Sequence, residues 1–421
     1  MDNFNRRDFL KLAGAAAASS LAGCAGSGGK ARVVVIGGGF GGATAAKYIR
    51  MWDPAIDVVL IERANVFTSC PMSNLVIGGH RTIDQIRHGY EGLRRHGVHI
   101  VHDEVTAIDT GKRVVKLERG GDLTYDRLIV SPGVDFMYGE IAGYEAALDA
   151  RRVVHAWKAG TQTIELRKQL EGMKDGGVYL LSIPLAPYRC PPGPYERACQ
   201  VASYFKQAKP RSKVLVFDAN PDVTSKGPLF KKAWAELYKG IIEYRPQAKA
   251  IAVDAGTMTV KFEFDSVRAD VLNVLPPQRA GDIAMKAGLV TANQRWCGID
   301  WMSTESLAAK NVHVIGDATL SAPLMPKSGH MANSQAKVCA AAVVALLNGQ
   351  APNPDPVMNN TCYSYVSGTE VIHVASVHQW DGGKKTLIPV QGAGGVSTAR
   401  NTLESGLAWS WAQNIWADML T

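Results

Sequence analysis

The sequence predicts an α/β fold built around a dinucleotide-binding domain, and three stretches predict it. Arg32-Val33-Val34-Val35-Ile36 is a β-branched apolar run suited to a buried parallel strand, and Gly37-Gly38-Gly39-Phe40-Gly41-Gly42 follows at once. Val58-Val59-Leu60-Ile61-Glu62 is a second apolar strand ending in an acid. Far along the chain, Val312-His313-Val314-Ile315 runs into Gly316-Asp317-Ala318. At 421 residues the chain is long enough for two or three domains, and with 46% hydrophobic and 20% charged residues it belongs to the globular class.

Residues 1–29 read as an address and linker. Arg6-Arg7 precede Phe9, Leu10 and Lys11, then an apolar stretch from Leu12 to Ala22 that falls short of the ~20 residues needed to span a bilayer. The arginine pair resembles a twin-arginine export signal, which implies a periplasmic destination. Leu21-Ala22-Gly23-Cys24 resembles a lipoprotein processing box with Cys24 as the lipidated residue, or Cys24 is simply lost with the leader. Cleavage after residue 23 removes three basic and two acidic residues from a chain of net charge +8, leaving +7. Such a surface steers an acidic partner or an anion, or is merely dispersed. No basic run with interleaved aromatics occurs, so nucleic acid is unsupported as a partner.

Gly37, Gly39 and Gly42 fill the pattern G-x-G-x-x-G at the start of a helical stretch from Ala43 to Arg50. The first allows the tight turn, the second a close approach of pyrophosphate, and the third close packing of helix on strand. The helix N-terminus offers free N–H groups to the phosphates. Glu62 stands 20 residues after Gly42, placed to accept hydrogen bonds from a ribose hydroxyl. The Gly316-Asp317 motif resembles the second flavin motif of the two-dinucleotide-binding, glutathione-reductase-like flavoproteins, which implies that Asp317 binds the ribityl chain. Leu128-Ile129-Val130-Ser131-Pro132-Gly133 resembles their crossover strand, with Pro132 at the cofactor. Together these motifs imply FAD.

In pyridine-nucleotide members of that superfamily a second glycine-rich turn opens the middle domain. Here the expected strand, Gly177 to Ile183, runs into Pro184-Leu185-Ala186-Pro187-Tyr188-Arg189-Cys190-Pro191-Pro192-Gly193-Pro194-Tyr195-Glu196-Arg197. Proline fixes φ and supplies no N–H to a phosphate, so this loop predicts no NAD(P) at that site. The domains expected are an FAD-binding domain at 30–142 and 280–352, a degenerate NAD-type domain at 143–279, and a C-terminal region at 353–421.

The proline-rich loop gives the most specific likeness. It resembles the signature of the flavocytochrome c sulfide dehydrogenase flavoprotein subunit. So do His155-Ala156-Trp157-Lys158-Ala159-Gly160, Met325-Pro326-Lys327-Ser328-Gly329 and Asn360-Thr361-Cys362-Tyr363-Ser364. The resemblance implies a disulfide between Cys190 and Cys362 over the flavin, a thioether from Cys70 to the flavin ring, and Lys327 and Trp411 near the cofactor. It also implies a c-type cytochrome subunit as partner in a heterodimer, so that the activity is that of a sulfide–cytochrome c reductase. Hydrosulfide attacks a disulfide to leave a persulfide and a thiolate, and flavin converts a two-electron event into single-electron steps.

Plainer readings stand beside these. A Cys190–Cys362 cross-link closing about 170 residues contributes roughly 5 kcal/mol by chain entropy alone. Glu196 is either a proton handler at the flavin or a surface ion-pair partner of Arg197 or a nearby lysine. Cys70 is either the tether or a buried thiol. Cys199, Cys297 and Cys339 carry no motif, although Cys199 stands near enough to Cys190 in sequence to compete for it, and Cys339 lies in an alanine-rich helix. No C-x-x-C or C-x-x-C-H occurs, so neither covalent haem nor a paired-cysteine metal site is expected on this chain. Trp409 and Trp416 fit core packing, and the lack of basic residues after Arg400 argues against a membrane-lying helix. The same fold also serves sulfide:quinone oxidoreductases, and a redox-inert assembly protein is a third possibility.

Overall fold

The computed structural model describes residues 31–421. The expected twin-arginine segment and Cys24 lie outside the described residues. Two parallel sheets form the body. The first has five strands in the order Val312–Val314, Arg127–Val130, Ala31–Ile36, Ile56–Ile61 and His99–Val101, all parallel. Its two central strands are apolar on both faces because both are covered, one by helices and the other by the antiparallel strands Val105–Asp109 and Val114–Leu117 together with Trp296: Val33, Val34, Val35, Val58 and Leu60 are fully buried. The helices Phe40–Trp52 and Gly329–Leu347 pack on one face. Cys339 is buried in the second of them, as a small apolar residue.

The second sheet has four parallel strands in the order Ile242–Arg245, Lys213–Asp218, Val178–Ile183 and Val271–Val274. It keeps the nucleotide-domain pattern although its first strand ends in Pro184 rather than in a glycine-rich turn. A reverse turn then carries the chain into the helix Gly193–Ala208, with Pro194 in its first turn, where the missing N–H costs no helical bond. The long antiparallel hairpin Val357–Tyr365 and Val371–Asp381 follows the second half of the first sheet. The terminal helix Leu403–Leu420 buries Ala408, Ala412, Ile415 and Trp416. Trp416 packs against His88, and Arg81 lies over Trp409, so both rings are used in packing, as expected. Among the described residues no helix is long and apolar enough to cross a membrane.

Strand ends set the position of the cleft. Ile36, Ile61, Val130 and Val314 end side by side in the first sheet, so the turns at Gly37, Glu62, Ser131 and Gly316 open onto one crevice.

Candidate active site

A cavity of about 600 Å³ occupies that crevice, within the roughly 300–1,000 Å³ typical of cofactor and ligand sites. Gly37, Gly39, Glu62, Cys70, Pro132, Cys190, Glu196, Asp317, Cys362 and Trp411 all line it. Thus residues from widely separated parts of the chain converge on one cavity.

The three glycines of the turn sit in different surroundings. A Cβ on Gly42 would stand 1.8 Å from the Gly37 carbonyl oxygen, so this residue is the close-packing glycine and faces away from the cavity. Gly37 has φ +96 and its Cβ would meet the Ser131 oxygen at 2.3 Å. At Gly39 a Cβ would meet no protein atom within 4 Å. It would project into open space at the start of the helix Phe40–Trp52, where a pyrophosphate has room to approach. Glu62 accepts from Gly38 N at 2.7 Å and from Ala64 N at 2.9 Å, so the carboxylate stiffens the turn while still lining the cavity.

Asp317 supplies an independent test of the cofactor. It lines the cavity, and its Oδ1 is buried with no hydrogen-bond partner. Burial pushes its carboxyl pKa up, opposed by Arg189 and Lys327. A buried acceptor without a donor is costly unless a ligand hydroxyl supplies one. The open glycine cradle and this orphaned carboxylate therefore fit a flavin dinucleotide. Lys327 itself is not among the cavity-lining residues. Its ammonium donates to the Asp317 and Thr319 carbonyls and lies 3.7 Å from the centre of the Trp296 ring, so it braces the Asp317 turn from behind. Its own carbonyl accepts from Cys190 N at 2.8 Å, and this bond ties the proline-rich loop to the flavin motif.

Cys190 adopts a left-handed conformation, φ 59, unusual for a residue with a Cβ. A Cβ on Gly193 would lie 2.8 Å from the Cys190 Sγ and 2.8 Å from the Trp157 ring. The sulfur thus rests against the first turn of the helix Gly193–Ala208, with Trp157 beside it. Trp157 Nε1 donates to the Arg189 carbonyl at 3.1 Å, and Arg189 donates back to the Trp157 carbonyl. The Cys70 Sγ lies 3.7 Å from that same carbonyl oxygen. Cys362 sits on the hairpin strand, with its Sγ 3.4 Å from Asn360. Burial raises the pKa of both Cys190 and Cys362, and each thiol has the other or a common neighbour among its perturbers.

All six described cysteines are free, Cys190 and Cys362 included. The cross-link expected between these two is therefore not a feature of the structure, which instead holds both as thiols lining one cavity. Cys199 does not compete for Cys190: it is fully buried in the helix and accepts from Trp234 Nε1 at 3.2 Å.

Glu196 is not the surface partner of Arg197. It is 8% exposed, accepts from Asn74 Nδ2 at 3.0 Å and from Tyr365 N at 2.9 Å, and burial raises its pKa. Arg197, more deeply buried at 1% exposed, donates instead to Asn74 Oδ1, Asn273 Oδ1 and the carbonyls of His155 and Ala156. A buried carboxyl at the wall of a cavity, its pKa pushed up by burial, is suited to moving protons.

Residues without a sequence signal complete the site. Asn74 joins Glu196 to Arg197, Lys226 reaches Cys362 from another element, and His330 lines the cavity with Nδ1 accepting from Thr361 N. Asp218 had a signal that was missed. It ends the apolar strand Lys213–Asp218 as Glu62 follows the strand Ile56–Ile61. Its carboxylate is fully buried and accepts from Tyr195 Oη, Tyr244 Oη and Asn220.

Comparisons with known proteins agree with this geometry. Three family models match: "Pyridine nucleotide-disulphide oxidoreductase" over residues 31–165, "Sulfide dehydrogenase [flavocytochrome c] flavoprotein chain, central" over 163–276, and "Flavocytochrome c sulphide dehydrogenase, flavin-binding" over 354–420. The mitochondrial sulfide:quinone oxidoreductase of Mus musculus is 24% identical over 302 residues, 68% of this chain and 65% of that protein. A 48-residue stretch, 11% of this chain, is 58% identical to the flavoprotein chain of Chlorobaculum thiosulfatiphilum flavocytochrome c sulfide dehydrogenase and covers all of that sequence. Among solved structures, the sulfide:quinone oxidoreductase of Aquifex aeolicus superposes with a TM-score of 0.77 at 17% identity, covering 92% of this chain and 91% of its own. Putidaredoxin reductase in its complex with putidaredoxin gives 0.66 at 16% identity, covering 92% and 94%. The fold is that of the two-dinucleotide-binding flavoproteins.

Proposed function

This chain belongs to the flavoprotein family of flavocytochrome c sulfide dehydrogenase and sulfide:quinone oxidoreductase, and we propose that it oxidises hydrosulfide, with Cys190 and Cys362 as a redox pair beside FAD. One observation carries the reading: two cysteines about 170 residues apart in sequence line one cavity with the glycine-rich turn and Asp317.

Gly37, Gly39, Glu62, Pro132, Asp317 and Trp411 would hold the cofactor, Lys327 braces Asp317, and Cys70 is proposed as its covalent tether. When bound, the flavin supplies a two-electron acceptor able to release electrons singly. In its oxidised form the Cys190–Cys362 pair is a disulfide that hydrosulfide opens, leaving a persulfide on one sulfur and a thiolate on the other. Trp157 and the bonded prolines hold the Cys190 sulfur in place, and Glu196, whose pKa burial pushes up, is the group placed to take or give a proton at the cavity wall. The middle domain offers little to a nicotinamide donor. Its strand runs into prolines, and the acid at the end of its second strand, Asp218, is turned inward onto two tyrosines.

The electron acceptor proposed is a c-type cytochrome subunit docking on the C-terminal region at 353–421, in the periplasm if residues 1–29 act as an export signal. A second reading, transfer to quinone, is favoured by the similarity to the mouse and Aquifex aeolicus enzymes.

Anaerobic titration tests the function. Hydrosulfide is expected to bleach the flavin absorbance of the purified protein and NADH to leave it unchanged. Bleaching by NADH and not by sulfide would overturn the reading, and an unresponsive flavin would favour a redox-inert role. Reoxidation of the bleached protein by cytochrome c rather than by a soluble quinone then separates the two acceptors.

A further inference from the structure

Lys226 is a buried cation that the proposed reaction has not yet used. It precedes the helix Gly227–Leu237 with φ 57, a left-handed conformation that favours glycine over lysine. The residue is 7% exposed. Its ammonium donates to the Cys362 carbonyl at 3.0 Å, to Ser364 Oγ at 2.8 Å and to the Ile372 carbonyl at 3.4 Å. All three acceptors belong to the C-terminal hairpin and all are neutral. Among the described residues no carboxylate forms an ion pair with it, and its charged or ionisable neighbours, nearest in effect first, are Cys362, Glu196, Cys190 and Glu404. Burial lowers its pKa to about 8, so it is largely protonated at neutral pH. A buried ammonium without a counter-ion favours an anion forming beside it.

The two sulfurs are not equivalent around this charge. For Cys362, Lys226 is the largest effect opposing burial, and hydrogen bonds with Asn360 and Ser328 act in the same direction, against Glu196. For Cys190 the effects next after burial are Cys362 and Glu196, both raising, while Arg189 and Lys226 oppose them more weakly.

We infer that Lys226 makes Cys362 the leaving thiolate and so directs hydrosulfide onto the Cys190 sulfur. The inference rests on the sulfide-oxidising function proposed above. In this step HS⁻ forms a bond to Cys190 Sγ, the Cys190–Cys362 S–S bond breaks, and its electron pair leaves on Cys362. The products are a Cys190 persulfide that keeps the hydrogen of HS⁻ and a Cys362 thiolate opposite the Lys226 ammonium. Disulfides are cleaved preferentially to expel the thiol of lower pKa, so a charge beside one sulfur decides which is attacked. Lys226 is in this sense a positioning residue.

The same three hydrogen bonds are also those of a plain structural staple, and the test separates the two roles. The flavin-loaded full chain is reduced with a phosphine and alkylated with iodoacetamide across a pH series, and modification of Cys190 and Cys362 is followed by peptide mass spectrometry. The midpoint of each rate profile reports thiolate formation irrespective of access. Cys362 is expected to have its midpoint at least about one pH unit below that of Cys190, a tenfold difference in thiolate at a given pH. Lys226→Met is expected to close that gap and Lys226→Arg to preserve it. A gap unchanged in Lys226→Met, or absent or reversed in the unsubstituted protein, overturns the inference. If Lys226→Met does not fold, trapping of the unsubstituted protein after one equivalent of sulfide decides: persulfide on Cys190 supports the inference and on Cys362 refutes it. Alkylation needs no sulfide, so a flavin that sulfide fails to bleach would sink the functional reading while leaving the charge asymmetry separately measured.

Discussion

Cys190→Ser should retain its flavin yet lose sulfide-driven bleaching by about 10³-fold or more, the scale seen when a nucleophilic or covalent partner is removed. Cys190 lines the cavity, with its sulfur packed on Gly193 beside Trp157. Serine keeps the backbone bond to the Lys327 carbonyl and loses only the atom that undergoes exchange. Cys362→Ser should fall as far, and the double substitution should cost no more than either alone, because one disulfide is lost in every case. Stopped-flow absorbance under anaerobic conditions measures it. A Cys190→Ser rate within tenfold of the unsubstituted protein would leave the pair a mere cross-link.

The second large effect concerns the cofactor cradle. Gly42→Ala places a Cβ 1.8 Å from the Gly37 carbonyl oxygen. The turn is held from the other side by the Gly37 N–H, which donates to the Ile61 carbonyl at 2.9 Å. Overpacking against mobile side chains costs typically about 1–3 kcal/mol, and here both sides are backbone, so the cost should reach or pass the upper end. The variant is expected to lose most of its flavin and to melt well below the unsubstituted protein. Gly39→Ala makes the opposite prediction for stability. Its Cβ meets no protein atom within 4 Å, so the chain should fold normally but bind flavin poorly, because the methyl group stands where phosphate approaches. Flavin-to-protein absorbance ratios and thermal melting report both. A Gly42→Ala protein with full flavin content and unchanged melting would contradict the assignment of the turn.

Much of this site is local in sequence and was legible there. The strand–glycine–helix turn at 32–50, the acid at Glu62 and the Gly316-Asp317 turn each combine a periodicity with a residue at a fixed offset, and backbone geometry forces those neighbours together. The prolines after Ile183 were equally readable, because proline acts on its own residue and the one before it. What stayed hidden was long-range. Lys226 lies more than 100 residues from Cys362, and nothing in its neighbourhood marks it. Lys327 was expected at the cofactor, yet the chain turns its ammonium back onto the Asp317 carbonyl and beneath Trp296. The surface ion pair of Glu196 with Arg197 failed for a similar reason. Adjacent residues on a helix point in different directions, and here both side chains enter the interior toward the shared partner Asn74. Asp218 shows a signal that local reading could have used, since it ends an apolar strand of the second parallel sheet much as Glu62 follows one of the first.

The account depends most on two sulfurs that form a bond in one redox state and part in the other. Peptide mapping of the air-oxidised protein under non-reducing conditions, with free thiols blocked before digestion, examines this directly. The predicted result is a single cross-linked pair joining the Cys190 and Cys362 peptides, which disappears on reduction, while Cys199, Cys297 and Cys339 are recovered as thiols. Recovery of Cys190 and Cys362 as blocked thiols, or bonded to other cysteines, would contradict the account.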